Sequence, residues 1–238
     1  MEISGKRALI TGAAQRVGKG VALALAAAGA DLVLHYNRSA DAAAATGAEA
    51  EALGVQVELR QADLSDPASV DAILSEPADI LVNSAAGFPE DSLLDVTPEA
   101  WIRTLTINLS SVVFLTQAFA KRLPADRNGV VTNMTDWKTQ RPYTDLRFSY
   151  TISKGGVDTF TRVAASELAP RIRVNAVALG VILPPPGAED GYAERLAART
   201  PLERVGGVEV VAEAVLQLIR NDFITGEILR VDGGAHLR

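Results

Sequence analysis

Tyr150 and Lys154 stand four residues apart in the run Tyr-Thr-Ile-Ser-Lys. On a helix that interval is about one turn, so both side chains leave the same face. A phenol can deliver or accept a proton, and an ammonium beside it favours the phenolate, lowering a pKa that is ~10 when unperturbed. The pair can work as an acid/base unit near neutral pH; the same spacing also suits a surface pair on any helix. A second group of residues could hold phosphate. Gly12 and Gly18 fall between an apolar run and a helical pattern, where glycine lets backbone N–H groups approach a pyrophosphate at a helix N-terminus. The spacing is not GxGxxG, and a tight turn alone would also favour glycine. Arg38 lies about 20 residues beyond Gly18, just past the second apolar run, where a dinucleotide ribose is read. An acid there would accept the ribose 2′-OH, whereas the arginine fork suits a 2′-phosphate and therefore NADPH, with Ser39 and Arg16 as helpers.

The elements that must position these groups follow from the pattern of apolar residues. Short apolar runs at Ala8–Ile10, Leu32–Tyr36, Val55–Leu59, Ile80–Asn83, Gly129–Asn133, Arg173–Ala178 and Glu227–Val231 have the length of buried parallel strands. Helical patterns alternate with them. One follows the glycine loop, with Val17, Val21, Ala24, Leu25 and Ala28 on one face and Gly29 as its stop. Others are an alanine-rich stretch ending near Leu53, then Pro67–Ser75, Pro98–Leu123 and Val208–Ile219. The Tyr150 helix runs to Ala169, buries Val157, Phe160, Val163, Ala164 and Leu168, and is ended by Pro170. Strict β-α alternation predicts a single-domain α/β fold of the Rossmann type over 1–238. It is a doubly wound parallel sheet of about seven strands with helices on both faces.

Composition narrows the function. The 238 residues are 48% hydrophobic and 22% charged, an ordinary globular composition. A net charge of −6 without a Lys/Arg run argues against nucleic acid or an anionic membrane as partner. The absence of cysteine suits a reducing compartment, and two histidines are too few for a histidine-rich metal site. Neither a signal peptide nor a bilayer-spanning run is read, so the expected place is the cytoplasm and the expected partner a small molecule.

These motifs together resemble the short-chain dehydrogenase/reductase family over essentially the whole chain. The resemblance rests on Thr11-Gly-Ala-Ala-Gln-Arg-Val-Gly18, Ala62-Asp63-Leu64, Asn83-Ser-Ala85-Ala86, Asn108, Tyr150-Thr-Ile-Ser-Lys154 and Val231-Asp-Gly-Gly234. It implies a homotetrameric enzyme that moves hydride between a nicotinamide and a carbonyl, alcohol or imine. Gly12, Arg16, Val17 and Gly18 would form the cofactor loop, Asp63 and Leu64 would border the adenine, and Asn83 and Ala85 would line the cofactor cleft. Asn108 would hold a water of a proton relay, Tyr150 would be the acid/base, and Lys154 would bind the ribose and tune Tyr150.

Two departures narrow the resemblance. Arg16 stands at the loop's middle glycine, and Asp136 stands at the catalytic serine, three residues after Asn133, with Thr135 the nearest hydroxyl. Both resemble the pteridine reductase branch. So do His35-Tyr-Asn-Arg-Ser39 and Phe88, whose counterpart holds a pterin ring against the nicotinamide; the terminal Asp232–Arg238 resembles dihydromonapterin reductases. In contrast, Ala86 replaces a serine of that branch, and the Asp136–Tyr150 interval is one residue longer. Reducing a pterin C=N bond needs a proton on ring nitrogen, which a carboxylic acid raised in pKa by a dry cleft can give; an aspartate after a strand can equally cap a turn. Phe88 and Trp137 offer faces for a flat ring, or simple packing. The expected function is an NADPH-dependent reductase of a pterin or dihydropterin, with Asp136, Tyr150, Lys154 and Asn108 catalytic and Phe88, Asp136, Trp137 and Tyr150 at the substrate. The alternatives are a 3-oxoacyl or small-ketone reductase on the same scaffold and, outside enzymes, a catalytically silent NADPH-binding sensor.

Overall fold

Successive residues of a strand face opposite sides of a sheet, and here both sides are apolar. In β1 (Arg7–Ile10), Ala8 and Ile10 enter one core while Leu9 enters the other; in β4 (Ile80–Asn83), Ile80 and Val82 divide from Leu81 in the same way. Each side therefore needs its own helices. Helix α1 (Arg16–Ala27) supplies Val21 and Leu25 to the first core, and α8 (Val208–Arg220) supplies Val211, Val215 and Leu218. Helices α5 (Ser111–Arg122) and α6 (Phe148–Leu168) cover the second with Leu115, Phe119 and Ala164. Each fully buried Leu or Val side chain contributes roughly 1.5–3 kcal/mol.

The computed structural model describes all residues except Asp145, Pro185, Pro186 and Arg238, and except the side chain of Asp71. Pro185 and Pro186, and Arg238 of the expected terminal motif, lie outside the described residues. The remaining strands are β2 (Asp31–Tyr36), β3 (Val57–Gln61), β5 (Gly129–Asp136), β6 (Ile172–Leu179) and β7 (Ile228–Val231). They form one seven-stranded sheet in the order β3-β2-β1-β4-β5-β6-β7, parallel at every pairing, as expected from the alternation. The order reverses between β1 and β4, and the crevice at the carboxyl ends of these strands is where a doubly wound sheet binds its ligand.

Several boundaries differ from the expectation. β5 runs on to Asp136 instead of stopping at Asn133, because its last residues stay in register with β6 as far as Asp136 opposite Leu179. The alanine-rich helix is α2 (Ala40–Glu51), β3 lies two residues later than expected, the 67–75 helix shrinks to α3 (Ser69–Ile73), and a short α7 (Tyr192–Ala197) precedes α8. The long helix 98–123 is broken into α4 (Pro98–Leu105), a π turn over Thr106–Ser110, and α5. α6 starts two residues before Tyr150 and ends at Leu168. Its buried stripe is Tyr150, Lys154, Val157, Thr161, Ala164 and Ala165, whereas Val163, expected inside, is 50% exposed.

Candidate active site

The extra length of β5 carries Asp136 to the mouth of the crevice, and the start of α6 brings Tyr150 to meet it. Asp136 Oδ2 accepts the hydroxyls of both Tyr150, at 3.0 Å, and Tyr143, at 3.1 Å, while Oδ1 accepts Lys138 N at 2.8 Å. The turn-capping and acid readings of Asp136 thus describe one carboxyl: one oxygen caps the turn and the other faces the phenols. Burial pushes the Asp136 carboxyl above the ordinary carboxylate range, against the pull of the Lys138 N–H, both phenols and the Lys154 charge. Tyr150 is raised well above its ordinary value by burial first and by the Asp136 charge second. This corrects the expectation that Lys154 lowers it. Lys154 is fully inside, its Nζ donates to the Met134 carbonyl at 2.8 Å, and it lies 5.9 Å from the Tyr150 ring centre. Its own pKa is pulled down to about 8 by burial, with Asp136 and Asp158 opposing. A protonated phenol on a buried carboxyl is a proton donor in place.

Thr135, the hydroxyl adjacent to Asp136, cannot serve the same reacting centre. Strand alternation turns it to the other side, where it donates to Asp158 Oδ1 at 2.7 Å. Asn108 sits in the π turn with its side chain fully engaged: Oδ1 accepts Gly87 N at 2.8 Å, and Nδ2 donates to Gly87 O and Ser153 Oγ. A relay water at Asn108 would have to use its backbone, and π turns recur where helical register is locally shifted at functional sites.

The nucleotide end is built from backbone. Thr11 Oγ1 accepts Ser84 N and Ala85 N, both at 3.0 Å, joining the ends of β1 and β4. Gly12 has φ +66, and a Cβ there would stand 2.9 Å from Ala85 Cα; one on Gly18 would stand 2.1 Å from Gly12 O. Both positions exclude side chains. Arg16 occupies the left-handed region at φ +56, which favours glycine, and its exposed guanidinium donates to Pro184 O at 2.9 Å. Val17 packs towards the first core. Gln15, just before α1, gives no side-chain cap, and the first turn holds no acid, so the N-terminal N–H groups of α1 are unclaimed by side chains. Arg38 is exposed at the end of β2, beside Ser39, and is close enough to Asp63 to help hold that carboxyl below its usual range, after the larger effect of Ser65. Leu64 is buried in the second core. Asn83 turns inward, donating to Asn133 Oδ1 at 2.9 Å, so its side chain braces β4 against β5 beneath the crevice.

Rings crowd around Asp136. Phe88 stands edge-on to Tyr150, with centres 4.5 Å apart and planes at 87°, and Arg147 covers its face at 4.0 Å. Phe88 is half exposed, leaving area for a planar ligand. Lys138 Nζ lies 4.6 Å from the Trp137 ring and 5.4 Å from that of Tyr143. Asp91 pins the start of α6 by accepting Ser149 N at 3.0 Å and the Ser149 hydroxyl. One site residue, Tyr143, escaped the sequence reading, and His35 entered it only as part of the His35–Ser39 motif, without a role of its own. Tyr143 lies in an irregular segment where spacing carries no signal. His35 accepts Gly12 N at 3.3 Å through Nδ1 and meets Ala62 O at 3.2 Å through Nε2, holding the glycine loop against β2 and β3. Its signal was a lone polar residue inside an apolar strand.

Known proteins are similar to this chain over almost its full length. A family described as Enoyl-(Acyl carrier protein) reductase matches residues 12–236. L-xylulose reductase of Bos taurus is 35% identical, covering 98% of both chains. The 3-oxoacyl-[acyl-carrier-protein] reductase FabG of Escherichia coli K12 is 32% identical, with full coverage of both. Among solved structures, FolM alternative dihydrofolate reductase 1 from Brucella canis, complexed with NADP, superposes with a TM-score of 0.89 at 34% identity, covering 100% of this chain and 97% of that one.

Proposed function

The chain belongs to the short-chain dehydrogenase/reductase family and is an oxidoreductase, and from that premise we propose that it is an NADPH-dependent reductase of dihydropterins or pterins, acting on a ring C=N bond. The observation that carries the substrate reading is the buried Asp136 carboxyl 3.0 Å from the Tyr150 hydroxyl, in the place where a ketone reductase of the resembled family has a serine. The structure of FolM with NADP supports it, being similar over the whole chain.

The residues present fit a dinucleotide phosphate. The unclaimed N–H groups at the start of α1 suit the pyrophosphate, and exposed Arg38, with Ser39 beside it, suits the 2′-phosphate. When bound, NADPH supplies the hydride. Asp136 donates the proton to the ring nitrogen, Tyr150 stands ready to replace it along their hydrogen bond, and Lys154 contributes positive charge from below. Phe88 presents its open area to the flat substrate. The test is NADPH oxidation with a panel of dihydropterins and of ketones, including 3-oxoacyl thioesters. Dihydropterin turnover well above ketone turnover supports the proposal; reduction of ketones alone overturns the substrate and leaves the reductase.

The homotetramer and the cytoplasmic setting are part of the same proposal. Phe114 on α5 and Ile152 and Val163 on α6, 44%, 44% and 50% exposed, support contact between copies, and sedimentation velocity tests it.

A further inference from the structure

Two phenols share one carboxylate oxygen, although a single proton donor would suffice for the reaction. Tyr150 comes from α6 and belongs to the motif that organises the site; Tyr143 comes from the irregular segment between β5 and α6 and is absent from it. Tyr143 nevertheless aims its hydroxyl at Asp136 Oδ2 from 3.1 Å. Its half-buried ring stands 6.2 Å from Phe88 and 6.4 Å from Tyr150, under the Lys138 ammonium. Burial and the Asp136 charge raise this phenol's pKa and keep it protonated, so towards the Asp136 carboxylate it is a donor.

We propose that Tyr143 is a positioning residue for Asp136: its hydroxyl holds the carboxylate that remains after Asp136 has given its proton to the substrate, and so sets how strong an acid Asp136 is. The proposal rests on the reading of Asp136 as the proton donor to a ring nitrogen. In that step the Asp136 O–H bond breaks, an N–H bond forms on the ring, and the electron pair stays on the carboxylate while hydride fills the neighbouring carbon. Tyr150 then has two tasks, since it touches the reacting region and must also face the new anion. Tyr143 has one. With Lys138 N on the other oxygen, it leaves the carboxylate with two donors whenever Tyr150 turns to the substrate. Hydrogen bonds to the charged form favour ionisation. Among the described residues, the groups facing Asp136 are Tyr150 and Lys154 from α6 and Tyr143 and the Lys138 backbone N–H from the connecting segment, with Arg147 acting on the two phenols and Tyr192 on Tyr143. Tyr143 is the one that can lose its donor without disturbing the Tyr150–Lys154 pair.

The test uses full-length protein with bound NADP and aspartate labelled at the carboxyl carbon, the Asp136 signal being identified through Asp136→Asn. Tyr143→Phe keeps the ring and removes the hydroxyl. Asp136 should then titrate roughly one pH unit higher, the scale of one hydrogen bond to a charged group. Placing 3-fluorotyrosine at 143 gives a more acidic, stronger donor and should move the titration the other way; it also retains every ring atom should the phenylalanine variant be unstable. In turnover of a dihydropterin, the limb at which activity falls with rising pH should move upward with Tyr143→Phe. A merely packing tyrosine would move neither. Unchanged Asp136 titration in both variants overturns the inference. Opposite shifts without any dihydropterin turnover support it and overturn the substrate reading instead.

Discussion

The hydroxyl of Tyr150 points to the carboxylate of Asp136, 3.0 Å away, and the ammonium of Lys154 points to the Met134 carbonyl. The anion, not the cation, is the immediate neighbour of the phenol, and burial first, with this charge second, raises Tyr150 where a neighbouring ammonium would have lowered it. Tyr150→Phe removes a donor and leaves the ring packed on Phe88. Turnover should fall by a factor on the order of 10²–10⁴, the range for general acid catalysis, with NADPH binding by fluorescence titration unchanged. Near-full activity would mean that Asp136 is resupplied without Tyr150.

Asp136→Asn should abolish most dihydropterin reduction, since an amide cannot give the proton, yet it should not weaken the fold at neutral pH. Burial raises the folded-state pKa of Asp136 above 3.8. The folded state therefore holds this proton longer than the unfolded chain, and the associated stability is present below the unfolded pKa and lost as pH rises through the folded one. Urea unfolding of both proteins across about pH 4 to 8 checks the sign: the variant should gain on the wild type as pH rises.

His35 gives the opposite slope. Burial lowers its pKa below 6.5, and the neutral ring accepts the Gly12 N–H. Its contribution is present above the unfolded pKa and lost as pH falls through the folded one, because protonation removes the acceptor. His35→Phe should cost about 1–3 kcal/mol for the buried groups it leaves unpaired, flatten the acid side of the stability profile and weaken NADPH binding. Equal acid sensitivity in both proteins would show that the loop is held by other means.

Arg38→Ala should remove most of the preference for NADPH over NADH, by about tenfold or more for a lost charge-assisted phosphate contact. Affinity for NADH should hardly change. Equal affinity of the unmodified protein for both cofactors would remove the role given to Arg38.

The strands and their parallel, two-sided packing were legible because alternation on a two-sided apolar sheet leaves little choice: Leu9 and Ile10 must face different helices. Asp136 was legible by its distance from Asn133. What sequence could not show was direction. Nothing in the spacing of Tyr150 and Lys154 says that the lysine will turn to a carbonyl, because that carbonyl comes from β5. The π turn at Thr106–Ser110 was hidden since its residues continue a helical pattern. Tyr143 was hidden for the converse reason, belonging to no pattern at all, and spacing did not show that Asn83 would turn its amide under the crevice to Asn133.

The central pair of strands has a consequence for how the chain acquires its shape. β1 and β4 lie side by side, yet Ala8 pairs with Ile80, so some seventy residues must be looped out before that pairing exists. Thr11 closes it by capping Ser84 and Ala85. Such distant pairings raise contact order and slow folding, because the entropy of closing the loop is spent before the contacts repay it. The nucleotide crevice therefore cannot be complete before the middle of the sheet is. A ribosome-bound amino-terminal third, ending before Ile80, would display β1, α1 and the glycine turn without the strand that shapes them, and would gain no protection from added NADPH.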